Sequence, residues 1–257
     1  MDKGNRISVV INTYNAQEHL QRVLESVKGF DEVLVCDMES NDDTLAIAER
    51  NGCRIVTFPK GGHNIVEVAR DFAIHEAKGP WVLVVDADEI VTPALRDYLY
   101  QRIAQKNCPT GIAIPRKNYF INRFMHAAYP DHIVRFFLKD KTYWPAVIHC
   151  SPEIEGSVDK IPASRKDLAL EHLANDSIDD VIRKTEIYVK YELQRRQNKN
   201  YGVGALIVRP LFRFLKGYII KGGFRDGLPG FIHAVLEARY QFLMVAKLID
   251  SKLTNDE

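Results

Sequence analysis

The chain has 257 residues, with 35 Lys+Arg against 34 Asp+Glu, 46% hydrophobic and 27% charged positions. These proportions exclude collagen-like, low-complexity and wholly disordered chains, and the length suffices for one large or two small domains with a real core. The net charge of +1 hides a segregated pattern: residues 1–182 carry 21 basic and 27 acidic side chains, residues 183–225 carry 11 and 2, and residues 226–257 carry 3 and 5.

The first hundred residues alternate between two periods. ISVVI (Ile7–Ile11) is a continuous apolar run, as in a strand buried on both faces. Ala16–Val27 is helical in pattern, with Leu20, Val23, Leu24 and Val27 on one stripe. EVLVCD (Glu32–Asp37) predicts a second strand, and Ser40-x-x-Asp43 a capping box opening the next helix. RIVTF (Arg54–Phe58) predicts a third strand, and Val66–Ala77 a helix after the Gly61-Gly62 turn. WVLVVDAD (Trp81–Asp88) predicts a fourth strand with a polar tip. Thr92 then caps a helix with Pro93 at its first position, running to about Lys106.

Four strand–helix units in succession predict a parallel sheet covered by helices on both faces. Ligands of such sheets bind outside the carboxyl ends of the strands. The polar tips Asn12-Thr13-Tyr14-Asn15, Asp37 and Asp86-Ala87-Asp88 therefore share one expected crevice. After Cys108 the pattern turns irregular, with short extended pieces at Gly111–Pro115, Ile133–Leu138 and Trp144–His149. Helices are expected at about 177–197, 205–220 and 229–249, the last two joined by GGFRDG (Gly222–Gly227).

Cys36, Cys53, Cys108 and Cys150 form no C-x-x-C pair, which disfavours a zinc knuckle or a disulfide scaffold and fits reduced structural thiols. The opening MDKGNRISVVINTYN has too short an apolar run for a secretory signal. No run of about 18 uncharged apolar residues predicts a spanning helix.

Asp86-Ala87-Asp88-Glu89 is the sharpest chemical signal. Two carboxylates one residue apart at a strand tip point the same way and can reach one hard cation. Mg²⁺ or Mn²⁺ held by one or two carboxylates keeps positions open for substrate phosphates and offsets charge on a diphosphate leaving group. D-x-D alone is common in solvated turns; its place after the fourth strand distinguishes it. Asp37 either accepts the donors of a nucleobase edge or merely terminates a turn.

SVVINTYNAQEHLQRVLESV, VCDMESNDDT, ARDFAI and GPWVLVVDADEIV, in that order, resemble the opening of family 2 glycosyltransferases. RKNYF (Arg116–Phe120), YPDHIVRFF (Tyr129–Phe137), a histidine in Trp144–His149, and RPLFRFLKGYIIKGGFRDGLPGF (Arg209–Phe231) extend the likeness to the bacterial lipopolysaccharide core β-1,4-glucosyltransferases, over about residues 7–249. The resemblance implies an α/β GT-A fold, a Rossmann-like sheet with a C-terminal helical extension. It implies an inverting, metal-dependent enzyme that uses a nucleotide-sugar donor such as UDP-glucose and a bacterial surface-glycan or glycolipid acceptor.

Carried over residue by residue, the resemblance gives Thr13, Tyr14 and Asn15 to the nucleotide, Asp37 to the base, and Arg70 to the donor phosphates or sugar. Asp86 falls on the ribose or sugar side, Asp88 on the metal, and Asp131 on the general base. His149 matches a histidine that completes the metal site in some relatives, with a structural role equally open and His172 as the alternative. The expected division is a nucleotide-sugar half at 1–110, an acceptor half at 111–176 and a basic helical extension at 177–257. Asp71 in place of Asn, Met38-Glu39 after Asp37, and Cys150 in place of Glu depart from the family pattern and bear on donor and acceptor rather than on reaction class.

The basic segment has two readings. Arg209, Arg213 and Lys216 follow helical spacing beside Leu206, Ile207, Leu211, Phe214, Leu215 and Tyr218. An interfacial helix on an anionic membrane fits this pattern, as does a helix packed on its own domain with snorkelling basic groups. A homodimer is a further use of the surface, whereas nucleic acid has no recognition motif in its favour. The place implied is the cytoplasm, free or peripheral on the inner face of the cell membrane. Rival classes are a haloacid-dehalogenase-type phosphatase, which carries D-x-D on its first strand, and a non-catalytic nucleotide-binding scaffold.

Overall fold

The computed structural model describes residues 3–63, 66–146, 150–173, 177–196 and 199–253. It divides into two compact units: residues 1–117 with 130–173, and residues 118–129 with 174–257.

In the first unit β1 (Ile7–Thr13), α1 (Gln17–Ser26), β2 (Glu32–Asp37), α2 (Thr44–Arg50), β3 (Arg54–Thr57), α3 (Arg70–Glu76), β4 (Trp81–Asp86), β5 (Glu89–Ile90) and α4 (Pro93–Ile103) follow in order. β4, β1, β2 and β3 lie side by side and parallel, as the alternation predicts. Every residue of β1 is buried because both faces are covered. Ile7, Val9 and Ile11 join Leu20, Val23, Leu83, Val85 and Leu95 on one side; Val10 joins Leu34, Ala73, Ile74 and Val84 on the other. Thr92 caps α4, its Oγ1 accepting from the Leu95 N–H at 3.1 Å.

The sheet continues through β6 (Gly111–Ile114), β9 (Ile133–Leu138) and β12 (Val158–Lys160), in the order β12-β6-β9-β4-β1-β2-β3. β9 runs antiparallel to both neighbours, so the sheet is mixed. Between them, β7 (Arg116–Phe120) leaves the first unit and pairs with β8 (Arg123–Phe124) in the second. β10 (Thr142–Tyr143) pairs with β11 (Glu153–Ile154), and β13 (Leu170–His172) with β5. The extended piece expected at 144–149 is not a strand at Trp144–Ala146, and 147–149 lie outside the described residues. The capping box expected at Ser40-x-x-Asp43 does not form: Asp43 makes no side-chain cap, and Ser40 bonds to Asp37 instead.

The second unit holds α5 (Ile178–Arg196), α6 (Ala205–Leu215), a π turn at Lys216–Ile220, a 3-10 turn at Gly223–Asp226 and α7 (Gly227–Leu253). No helix among the described residues is long and apolar enough to cross a membrane. Its glycines allow close backbone approach. A Cβ on Gly230 would sit 2.0 Å from the Gly223 carbonyl oxygen, and one on Gly223 2.8 Å from that of Gly217. Gly230→Ala must push backbone apart, so a loss of about 1–3 kcal/mol in urea unfolding is expected. Unchanged stability would show that the turn does not hold this approach. The same turn buries Asp226, which accepts the backbone N–H groups of His126 (3.0 Å) and Ala127 (3.2 Å) and lies 2.6 Å from His126 Nδ1.

Candidate active site

The tips of β1, β2 and β4 meet on one edge of the first unit. Thr13 and Asp37 are cross-strand neighbours, as are Asn12 and Asp86. The polar strand tips thus gather at one edge, and they differ in what they do.

Thr13 Oγ1 donates to Asp37 Oδ1 at 2.8 Å. The Ser40 hydroxyl donates to the same oxygen at 2.6 Å, and its N–H to Oδ2 at 2.8 Å. The Asn15 N–H in turn donates to Ser40 Oγ, and Asn15 Oδ1 accepts from the Asn41 N–H, both at 2.9 Å. Asn15 takes the left-handed conformation (φ 49°), which a short amide side chain tolerates. Asp37 is only 1% exposed, so its carboxylate stitches the two loops together. Both of its oxygens are taken by Thr13 and Ser40. Tyr14 is exposed, with its ring and hydroxyl against the Lys60 ammonium.

Asp86 is held differently. One carboxylate oxygen accepts from Arg70 Nη2 at 2.7 Å and the other from Arg135 Nη2. Both arginines are buried, at 6% exposure. Burial alone would raise the Asp86 pKa; the Arg135 and Arg70 charges outweigh it and hold the carboxyl well below the usual range. For Arg70, the charges of Asp86 and Glu67 likewise outweigh burial, and its pKa is raised. Arg135 reaches Asp86 from a bulge: Ile112 pairs with Phe136 and Ala113 with Val134, which leaves Arg135 as the extra residue of β9. Such bulges re-aim a side chain.

Trp144 packs under both guanidinia, 5.1 Å from Arg70 and 5.6 Å from Arg135. Asp71, the departure from the family pattern, accepts the Trp144 backbone N–H at 2.9 Å and anchors the chain there. Arg70 Nε and Nη1, Arg135 Nε, Trp144 Nε1 and the Asn12 side-chain amide are buried without a partner among the described residues. Buried polar groups are normally paired, and the unpaired N–H groups of Arg70, Arg135 and Trp144 could be met by an anionic acceptor.

Asp88 lies beyond this clamp, its carbonyl accepting from the Leu173 N–H at 2.9 Å and its Oδ1 3.6 Å from His172 Nε2. An oxygen and a nitrogen donor at that separation can share one divalent cation. Among the described residues no group of three or more His, Cys, Asp or Glu is arranged around a metal position. Two protein ligands nevertheless fit a cation that takes its remaining positions from phosphate and water. His149, the ligand expected from the resemblance, lies outside the described residues.

Asp131 is fixed by Arg116, whose Nε and Nη2 both donate to Oδ2, at 3.0 and 2.7 Å. Nη1 of the same guanidinium donates to Glu89 Oε1 at 3.1 Å, and Glu89 Oε2 accepts the Asp86 N–H at 3.0 Å. The Glu89 side chain is wholly buried. Burial lowers the Arg116 pKa, but Glu89 and Asp131 outweigh it and keep the guanidinium charged. The carboxylate after Tyr129-Pro130 is thus tied through Arg116 and Glu89 to the D-x-D loop. Asp131 itself has a positive φ of 22°, a strained conformation of the kind that clusters at functional sites.

Sequence reading missed Arg116, Arg135 and Glu89 as parts of this site, and also Ser40 and Trp144. Arg135 carried a signal, a lone arginine inside the apolar strand IVRFFL. The cysteines take no part: burial first, then the charges of Asp37 and Glu76, push the Cys36 thiol up to about 12, and all four thiols are free.

Arg209, Arg213 and Lys216 lie in the second unit. Arg209 stacks on the Tyr201 ring at 4.9 Å, and Arg213 Nε donates to Glu237 of α7 at 2.8 Å. All three are half-buried. Arg213 turns to its acidic partner on α7, and the exposed side chains of α6, Ile207, Val208, Leu211, Phe212 and Leu215, are apolar.

A parallel-centred α/β sheet with a D-x-D loop at its carboxyl edge fits a glycosyltransferase of the GT-A fold. Residues 8–155 match the model described as glycosyl transferase family 2, and the chain belongs to that family. It is 27% identical to an uncharacterised glycosyltransferase of Rickettsia conorii over 96% of this chain and 91% of the relative. It is also 27% identical to the lipopolysaccharide core biosynthesis glycosyltransferase LpsC of Rhizobium meliloti, over 94% and 91%. Among solved structures it is similar to residues 1–349 of S. aureus TarS, at 16% identity, TM-score 0.48, and coverage of 97% and 92%. The glucosyl-3-phosphoglycerate synthase of Mycobacterium tuberculosis is similar over less than half of each chain, 45% and 44%, at 23% identity and TM-score 0.36. Family membership replaces the phosphatase reading of the D-x-D.

Proposed function

We propose that the chain transfers a sugar, with inversion, from a nucleoside-diphosphate donor to a bacterial surface-glycan acceptor such as lipopolysaccharide core. UDP-glucose is the first donor to test. The carrying observation is the Asp86 carboxylate clamped by two buried arginines, with Asp88 beside His172 two residues further on. Residues 1–110 then serve the donor, 111–176 the acceptor, and 177–257 form the extension, with the protein on the cytoplasmic side of the membrane.

Thr13, Tyr14 and Asn15 border the nucleotide, and Asp37 lies at its base side once Ser40 moves aside. Arg70, Arg135 and the Trp144 indole N–H offer their unused donors to the donor's phosphates or sugar, while Asp86 accepts from its hydroxyls. Asp88 and His172 hold Mg²⁺ or Mn²⁺, which when bound supplies charge neutralisation to the departing diphosphate. The acceptor oxygen forms its bond to the anomeric carbon as the bond to the diphosphate breaks. The electron pair leaves with the diphosphate, and the acceptor's proton passes to Asp131. Arg116 keeps that carboxylate in place.

Asp88→Ala is expected to lower Mn²⁺-dependent transfer by about 100-fold or more, since a catalytic cation supplies several kcal/mol. The assay follows labelled sugar into acceptor with and without chelator. Wild-type rates in the variant would remove the metal role, and metal-dependent donor binding with no turnover on any acceptor would leave a scaffold.

A further inference from the structure

We propose that the outward face of α6 and the π turn after it lies on an anionic lipid surface. A lipid-borne acceptor at that surface rests on the proposed function; the docking face itself does not. Ile207 (71% exposed), Leu211 (55%), Phe212 (60%), Ile219 (56%) and Ile220 (73%) follow helical spacing along one stripe, and α6 has no buried residue. Beyond the stripe Phe224 and Leu228 are also exposed. Monomers rarely leave so continuous an apolar patch in water, and such patches mark interaction sites.

Charge decides between a membrane and a second copy of the chain. Residues 193–225 contain eight Lys or Arg and no Asp or Glu. The next acid, Asp226, is buried against His126, and Glu237 on the neighbouring helix is taken by Arg213. Lys221 and Arg225 stand exposed at the end of the stripe. Two copies meeting here would bring like charges together with no acid in the stretch to offset them. An anionic bilayer complements both features: the side chains of the stripe enter the headgroup–acyl boundary, and the basic residues meet lipid phosphates. Among the described residues no helix can span, so the mode is lying on the surface.

The test uses the full chain with vesicles of phosphatidylethanolamine and phosphatidylglycerol (about three to one), with phosphatidylcholine vesicles as the neutral control. Co-sedimentation is expected with the anionic vesicles, weakening as salt screens the charges. Leu211→Asp with Phe212→Asp is expected to cut binding at least ~10-fold with an unchanged circular dichroism spectrum. Ile207→Trp, which adds no charge, provides a second readout: its emission shifts to the blue on anionic vesicles. No sedimentation and no blue shift overturns the proposal, as does a dimer in light scattering that the double Asp variant dissociates. Sugar transfer to a lipid-free acceptor is measured in parallel. Its absence alongside retained vesicle binding counts against the function and leaves the docking face standing.

Discussion

Asp86→Asn is expected to lower the stability of the folded chain by about 3–5 kcal/mol at neutral pH, because it removes the shared partner of two buried guanidinia. The amide keeps the shape and loses the charge, so Arg70 and Arg135 face each other across a neutral group while Trp144 screens them from water. The effect carries a pH signature. The folded Asp86 pKa lies below its ordinary 3.8, so the stabilisation is fully present above about pH 4 and is lost as pH falls through the folded value. The gap between wild type and Asp86→Asn should therefore be constant from pH 7 to about 5 and narrow below about 4. Urea titrations across that range measure it. A gap independent of pH, or no gap at all, would show that the ionised Asp86 carboxylate is not what stabilises the fold.

The strands that position this clamp were readable in the sequence where a single physical cause dominates. β1, β2 and β4 are apolar runs because both faces of the sheet are covered, and Thr92-Pro93 carries the chemistry of a helix start. The tips follow from the same logic, since polar residues closing buried strands on a parallel sheet gather at one edge. Arg135 was hidden for a different reason. IVRFF reads as a strand, but nothing local shows that it runs antiparallel beside β4 or that a bulge turns the arginine toward Asp86. Arg116 needed the same long-range information, because Asp131 and Glu89 are distant in sequence. Ser40 was read as a cap because its spacing to Asp43 matches one, and a buried carboxylate three residues earlier competed for its hydroxyl more effectively. The orientation of α6 was illegible too: periodicity shows which residues share a face, and the acid on α7 decides which face turns outward.

Asp131→Asn is expected to reduce kcat by about 10²–10⁴-fold, the usual worth of a positioned general base. The loss should fall on turnover while donor affinity, read by calorimetry with Mn²⁺ present, changes little. Asp131 is fixed by Arg116 at the far end of the Glu89 link, whereas the donor's expected contacts gather at Asp86, Arg70 and Asp88. Asp88→Ala should show the opposite division, with metal-dependent donor binding lost alongside transfer. Arg116→Gln keeps the Asp131 carboxylate and removes its anchor. A positioning role predicts a smaller fall in kcat, with donor affinity unchanged. Equal losses in Asp131→Asn and Arg116→Gln, with folding intact, would mean that the pair acts as a structural tie and that the proton goes elsewhere.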